Sequence, residues 1–446
     1  MKKSSRILLI ILTLLVLIAG TWRAAQLQYQ TGFGDMRGRV VGARLVKDGK
    51  LPYFYIWYPG DPLKYFFNQM VDTPRTPPTT VSALTASPAF LQAIGPVAFQ
   101  PEYKIDWGFF IVFHLFFLIS IALALKYAEK QYRSYVLLIM VPIILTDGWM
   151  GNFVTVQYYM LFGFLLLIIS LLLLKKKEIL AGLLLTVLIL LRPNALVFTF
   201  PFVALGFRYY KFISTTVIGV ALYAICMLMN PFQKSVWQEY FKSLKAHQAI
   251  HMSDTYEVPK NRIEALPFLP RSFEGVDYYK LDSLQKVHPI SVWPEASSFK
   301  SAYAAVVHHK PPALLLLALL CVSAGVIWLW ILLRYKREEA NANITFKLIL
   351  AGMLFYFLSN FFSSITTSIY QFPQWWAVAA IFGIFYGRIP KGAYALLLLG
   401  IILNLYLLPG FKGKHFLSEI YMLTATAWAI VTPESQVNET SASIRA

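Results

Sequence analysis

Three observations predict an all-α polytopic membrane protein, with about twelve transmembrane helices and two long outer loops. The first is composition: of 446 residues, 57% are hydrophobic and only 14% charged, against about 25% charged in an ordinary soluble domain. The second is that the apolar residues gather in runs long enough, or nearly so, to cross a bilayer. The third is that lysine and arginine recur in every second loop between those runs, as the positive-inside rule requires of a cytoplasmic face.

Taken in order, the apolar runs lie at about 6–22, 107–126, 134–146, 153–174, 179–191, 194–207, 212–229, 311–333, 345–362, 372–387, 393–408 and 416–431. Lys2, Lys3 and Arg6 precede the first span. Lys126, Lys130 and Arg133 follow the second, and Lys175, Lys176 and Lys177 the fourth. Arg208 and Lys211 follow the sixth, Arg334, Lys336 and Arg337 the eighth, and Arg388 and Lys391 the tenth. Both termini, including the tail 432–446, then fall on the cytoplasmic side. The loops "TDGWMGN" and "SSITTSIY" hold no lysine or arginine, while "PGFKGKH" holds two against the pattern. The basic N-terminal run fits a signal peptide and a first helix alike, and the many later spans favour an uncleaved helix.

The whole chain, 1–446, reads as one integral membrane domain. After the first span comes an outer loop at 23–106, then spans two to seven at 107–229. A second outer loop occupies 230–310, and the remaining spans 311–431. The first loop contains "DMRGRVVGARLVKDGKLPY", an amphipathic helix ended by Gly49 and Pro52. It continues into "PAFLQAIGPVAFQPEY", an interfacial or re-entrant stretch. The second loop opens on another amphipathic stretch, "NPFQKSVWQEYFKSLKAHQAIHM".

The net charge of +18 does not indicate nucleic acid, because the basic residues are short clusters between apolar runs and form no stripe. It fits cytoplasmic loops beside acidic headgroups. Cys226 and Cys321 both lie inside apolar runs, so there is no disulfide framework and no cysteine metal site. His247 and His251 are spaced to share a helix face, yet no HExxH or carboxylate pattern accompanies them, and a surface helix is the plainer reading. There is no P-loop, GxGxxG or DxD. "NET" at 438–440 falls on the cytoplasmic side, where a glycosylation acceptor has no meaning.

Two polar residues fall at membrane depth. The runs 134–146 and 179–191 are about 13 residues each, and such a helix rises only about 20 Å against a hydrocarbon core of about 30 Å. Asp147 and Arg192 at their ends then lie below the outer surface, where irregular backbone is tolerated only beside protein or a wet cavity. Pro193 breaks the helix after Arg192, and a new helix start would turn its N–H groups toward an anion held there. The alternative is that Arg192 snorkels to the headgroups at an ordinary hairpin, and that "TDGWMGN" is simply a turn. Asp35, in "TGFGDMRGR", follows closely behind the first helix with glycines on both sides. Asp48 and Asp61 read as turn or surface residues, and Asp72 lies in a proline-rich stretch.

These features together resemble glycosyltransferase family 87. The likeness rests on the early Asp, the helix ending in "DGKLPY", the proline-containing "TASPAFLQAIGP", and the long block "GNFVTVQYYMLFGFLLLIISLLLLKKKEILAGLLLTVLILLRP". It covers most of residues 30–210 and is looser beyond 230. The resemblance implies the C-type glycosyltransferase fold and transfer of a sugar, often mannose, from a polyprenyl-phosphate donor to a lipid, glycan or protein acceptor. It places the active site at the outer face of the cytoplasmic membrane. By resemblance Asp35 is the general base and Arg192 the donor phosphate-binding residue, with Asp147, Asn152, Gln157, Tyr370 and Gln371 as further candidates. No cofactor is implied, no metal ligand is assigned, and the need for a divalent metal is left open. The chain departs from the family where relatives often carry a tyrosine, here Gly38 and Arg39. It departs again where they carry histidines, here "SSITTSIYQFPQWW" with Tyr370, Gln371 and Gln374. Two other readings, a transporter and a surface-polysaccharide ligase or polymerase, fit the spans but not the dissimilar halves and the acid-bearing early loop.

Overall fold

The computed structural model describes residues 3–31, 35–53, 55, 62–65, 85–252, 297–336, 341–364, 369–408 and 413–432. Asp61, Asp72, the 438–440 acceptor, most of the second outer loop and the side chains of His247, His251 and Tyr370 lie outside the described residues. Among the described residues the protein is helical throughout, with no strand and one isolated antiparallel bridge between Thr146 and Leu405.

The helices are α1 (Lys3–Thr31), α2 (Met36–Lys47), α3 (Pro88–Ile94), α4 (Glu102–Tyr127), α5 (Arg133–Met140), α6 (Asp147–Thr155), α7 (Tyr159–Leu174), α8 (Glu178–Leu191) and α9 (Phe200–Ala204). They continue as α10 (Tyr210–Met229), α11 (Pro231–Met252), α12 (Phe299–Val307), α13 (Ala313–Tyr335), α14 (Ala342–Phe361), α15 (Trp376–Ile384), α16 (Lys391–Leu403) and α17 (Lys414–Val431). Among the described residues five helices, α1, α4, α10, α13 and α14, are long and apolar enough to cross a membrane, and several apolar helices are shorter. This is a membrane protein.

Burial sorts the helices into layers. α14 lies in the centre, its apolar stretch almost wholly covered by neighbours, while α1, α10 and α13 are covered on only a small part of theirs. In a hydrocarbon solvent an exposed Leu or Val costs nothing, so the peripheral helices keep apolar residues all round. Where helices meet, small residues let backbones approach. Gly182 and Gly219 on the α8–α10 contact sit against Thr215 and Thr186, and Gly400 of α16 sits against Ser418 and Met422 of α17. Buried hydroxyls there bond to backbone carbonyls, Thr186 Oγ1 to Gly182 O at 3.0 Å and Ser418 Oγ to Gly400 O at 2.7 Å.

Several of the expected spans are not single α-helices: 134–146 ends in a 3₁₀ stretch, Val141–Leu145, and 372–387 begins in one, Ile369–Trp375. The run 153–174 is broken between α6 and α7, where Val156 adopts a left-handed conformation with φ of 44°. The run 194–207 begins as a 3₁₀ stretch, Pro193–Thr199, followed by only five α-helical residues. Pro193 and Pro201 each remove an N–H and fix φ, which rules out a continuous α-helix here. The helix start expected to face Arg192 is therefore 3₁₀ backbone, with Ala195 N bonding back to Arg192 O at 2.9 Å.

The two ends of the bundle differ. At one end Tyr135 and Tyr386 stack at 3.6 Å, Lys175 lies over Tyr127, and Arg208 donates to the carbonyls of Tyr335 and Lys336 at 2.9 and 2.7 Å. Lys347 reaches from α14 to the last carbonyls of α17, on Ala429 and Thr432. Most of the basic clusters gather at this end. The other end holds the start of α2, the α6–α7 junction, the end of α8 and the start of α17, and there the polar side chains converge.

Candidate functional site

Asp35 stands at the start of α2 and is exposed. Its backbone N–H donates to Thr155 O at 2.9 Å, tying the first loop to the end of α6. Gln157 Nε2 donates to Asp35 Oδ2, and Gln157 Oε1 accepts from Arg39 Nη2 at 2.6 Å. Arg39, one turn along α2 from Asp35, also reaches Val156 O at 3.4 Å and lies 4.6 Å over the Tyr158 ring. Both Arg39 and Gln157 are buried. The left-handed turn at Val156 makes this set, because it ends α6 and brings Gln157 and Tyr158 toward the first loop. Phe90 of α3 stacks on Tyr158 at 4.1 Å.

Arg192 closes α8 in an extended conformation and is half-buried. Its Nε donates to Asn194 Oδ1 at 3.0 Å, and its Nη2 to Asn360 Oδ1 at 2.8 Å and Gln371 Oε1 at 3.3 Å. Asn194 Nδ2 in turn donates to Asn360 Oδ1 and Ser359 Oγ, so α14 is drawn against the end of α8. The guanidinium lies over three rings, Tyr159 at 4.7 Å, Phe162 at 5.5 Å and Tyr356 at 5.7 Å. Among the described residues every partner of this cation is neutral. Amide oxygens and ring faces hold it in place and offset part of its charge, and no carboxylate among the described residues pairs with it.

The two centres meet at a pair of adjacent tyrosines. Arg39 lies over Tyr158 and Arg192 over Tyr159, and the two rings stack with centroids 5.9 Å apart. Tyr158 is within electrostatic range of Arg39, Arg192 and Asp35 alike. The arrangement offers a carboxylate at an open edge and an uncompensated cation beside aromatic faces, which suits a ligand with an anion and a hydroxyl-bearing neighbour.

Asp147 is elsewhere. It opens α6 and accepts from Lys414 Nζ at 2.7 Å, with His415 Nε2 at 3.8 Å. Lys414 is buried and also donates to the carbonyls of Leu405 and Leu408. That pair accounts for one of the two lysines in "PGFKGKH", because its charge is matched inside the protein. Asn152 is fully buried; its carbonyl accepts from Gln157 N at 3.0 Å, and its side-chain amide has no partner among the described residues. Asp48 is a surface residue, paired with Lys64 and accepting from Tyr65 Oη at 2.7 Å. Those two hydrogen bonds hold its carboxyl below its ordinary range. Lys300 of α12 donates to Ser364 O at 2.7 Å, and burial, with Lys310 nearby, pulls its ammonium down to about 7.

Sequence reasoning passed over Arg39 and Asn360. Arg39 was visible only as a departure from the family pattern, and Asn360 only as an amide at the end of an apolar run, 168 residues from the arginine it holds. Among the described residues no three or more His, Cys, Asp or Glu side chains gather to hold a metal.

Comparison with known proteins gives a family match. The model of glycosyltransferase family 87 covers residues 85–360, more than half of the chain. That stretch contains Gln157, Arg192 and Asn360, while Asp35, Gln371 and Lys414 lie outside it. No curated protein and no solved structure matches the chain. With more than half its length under one family model, and with Gln157, Arg192 and Asn360 of that stretch at one end of a helical bundle, the chain belongs to glycosyltransferase family 87 and is a membrane glycosyltransferase.

Proposed function

We propose that this glycosyltransferase moves a sugar, mannose or another hexose or pentose, from a polyprenyl-phosphate donor to a lipid, glycan or protein acceptor. The reaction takes place at the outer face of the cytoplasmic membrane, on a C-type glycosyltransferase fold whose apolar segments make about twelve crossings. The observation that carries this reading is Arg192, a cation held by neutral amides and three aromatic rings at the end of a short helix. α8 has 14 residues and rises about 21 Å, well short of a hydrocarbon core of about 30 Å. A lipid-linked phosphate is an anion that lies at that depth, and a guanidinium offers it paired N–H donors.

The chemistry follows from the charges. The acceptor hydroxyl oxygen forms a bond to the anomeric carbon while the bond from that carbon to the phosphate oxygen breaks. The hydroxyl proton passes to the Asp35 carboxylate, and the electron pair of the broken bond leaves on the phosphate, facing Arg192. A base contributes about 10²–10⁴-fold to such a step, and a fixed cation aimed at the departing charge acts without reorganisation. The basic clusters at the opposite end of the bundle support a cytoplasmic orientation of that end, so the site faces outward.

Purified protein in lipid nanodiscs, given a panel of polyprenyl-phosphate sugars with a mixed lipid acceptor, is expected to transfer sugar from at least one. The reading fails if every such donor is left intact while the protein carries a solute across a vesicle membrane.

A further inference from the structure

Across a pocket from two of the amides that hold Arg192, the protein holds a carboxylate that the chemistry above does not use. Glu419 of α17 is buried, and the Trp375 indole N–H donates to both its oxygens, at 3.1 and 3.2 Å. Trp375 is itself fixed by the Phe357 ring stacked on it at 3.8 Å. Two carboxylate oxygens have about four acceptor positions between them, and one indole N–H does not fill them. A buried carboxylate left in this state is costly unless a proton or a further donor reaches it.

Glu419 lies in the wall of a pocket formed by α14, the 3₁₀ stretch Ile369–Trp375 and α17, with Asn360, Gln371, Gln374, Phe357 and Trp375 as the other principal walls. The free space is about 280 Å³ including the open mouth. Little of that space admits a water-sized group, about one in all, so the pocket itself takes a hydroxyl and not a ring. Gln374 is already committed, accepting from Tyr356 Oη and donating to Gln371 O at 3.0 Å. Carboxylate, amides and stacked aromatic faces in one narrow pocket suit a sugar, whose hydroxyls donate and whose C–H faces pack on rings.

Asn360 and Gln371 also decide whose sugar it is. Both hold Arg192, and both line this pocket. In a glycosyl phosphate one oxygen separates the phosphorus from the anomeric carbon, so the ring of the donor cannot lie far from its phosphate. We infer that this pocket, walled by two of the amides that hold Arg192 and by Glu419, receives one hydroxyl of the donor's transferred sugar, with the ring at the mouth and that hydroxyl entering to donate to Glu419. This assignment rests on Arg192 holding the donor phosphate. Glu419 is then a specificity residue for the sugar, distinct from the base.

The test compares binding of polyprenyl-phosphate sugars with binding of bare polyprenyl phosphate to wild type and to Glu419→Gln, both in nanodiscs. Wild type is expected to bind at least one sugar-bearing donor more tightly than the bare phosphate. Glu419→Gln is expected to shrink that preference by roughly tenfold to a hundredfold, the loss that goes with a charged hydrogen bond, and to leave bare polyprenyl phosphate binding unchanged. Should Glu419→Gln not fold, Glu419→Asp keeps the charge but withdraws the carboxylate from the pocket by one methylene, and a loss of the same preference is expected. A preference that survives the substitution overturns the inference, as does a Glu419→Gln variant whose only defect is a raised KM for the acceptor. If wild type binds neither lipid, it is the donor reading itself that has failed.

Discussion

Gln157 spans a cation and an anion, accepting from Arg39 through its oxygen and donating to Asp35 through its nitrogen. A glutamine can do this because its amide carries both an acceptor and two donors, and because both its neighbours in the chain are anchored, Val156 by its carbonyl and Tyr158 by its ring. The bonds fix which lone pairs of Asp35 remain open to an incoming hydroxyl. Gln157→Glu separates positioning from packing, since a carboxylate keeps the volume and gains an ion pair with Arg39 but has no N–H for Asp35. Turnover is expected to fall by at least tenfold, with the donor KM and the melting temperature held. A variant with unchanged kcat would mean that Asp35 is not the base or does not need to be held. Arg39 itself was legible in the sequence only as a mismatch with the family pattern. Its role depends on the turn at Val156, and a β-branched residue in a left-handed conformation leaves no periodic trace.

At the scale of elements, the junction between α5 and α6 is tied to the last pair of helices. Asp147 N donates to Asn404 O at 2.7 Å, Gly148 N to Asn404 Oδ1 at 3.2 Å, and Asp147 Oδ2 accepts from Lys414. Lys414 is 3% exposed and Asp147 21%, so removing one charge strands the other in a poorly solvated place, at a cost of about 3 kcal/mol or more. Lys414→Met is therefore expected to lower the melting temperature in detergent. The double variant with Asp147→Asn should recover most of the loss, because the unpaired charge is gone. Activity lost in Lys414→Met without a change in melting would instead assign Asp147 to the reaction. The sequence made the helix ends legible wherever a basic cluster, Gly49 or a proline stops an apolar run. It made α9 illegible, because an apolar run containing Pro193 and Pro201 has the hydropathy of a span and the backbone of a 3₁₀ stretch.

Across the whole molecule, the candidate site draws on the first loop, the α6–α7 junction, the end of α8, the end of α14 and the 3₁₀ stretch before α15. Composition and periodicity showed an all-α membrane protein and the oddity of one arginine in an apolar run. Arg192 meets Asn360 and Gln371 at sequence separations of 168 and 179 residues, and no local pattern encodes such contacts. The family assigns sugar transfer to the chain. The central claim is a division of labour, in which Arg192 binds the donor through its phosphate and Asp35 acts on the acceptor. Its most direct test is to measure donor binding and turnover together for Asp35→Asn and Arg192→Ala. Asp35→Asn is expected to bind the polyprenyl-phosphate sugar as wild type does and to lose about 10²–10⁴-fold in kcat. Arg192→Ala is expected to lose donor affinity by roughly tenfold to a hundredfold. Full turnover in Asp35→Asn, or undiminished donor binding in Arg192→Ala, would contradict the account.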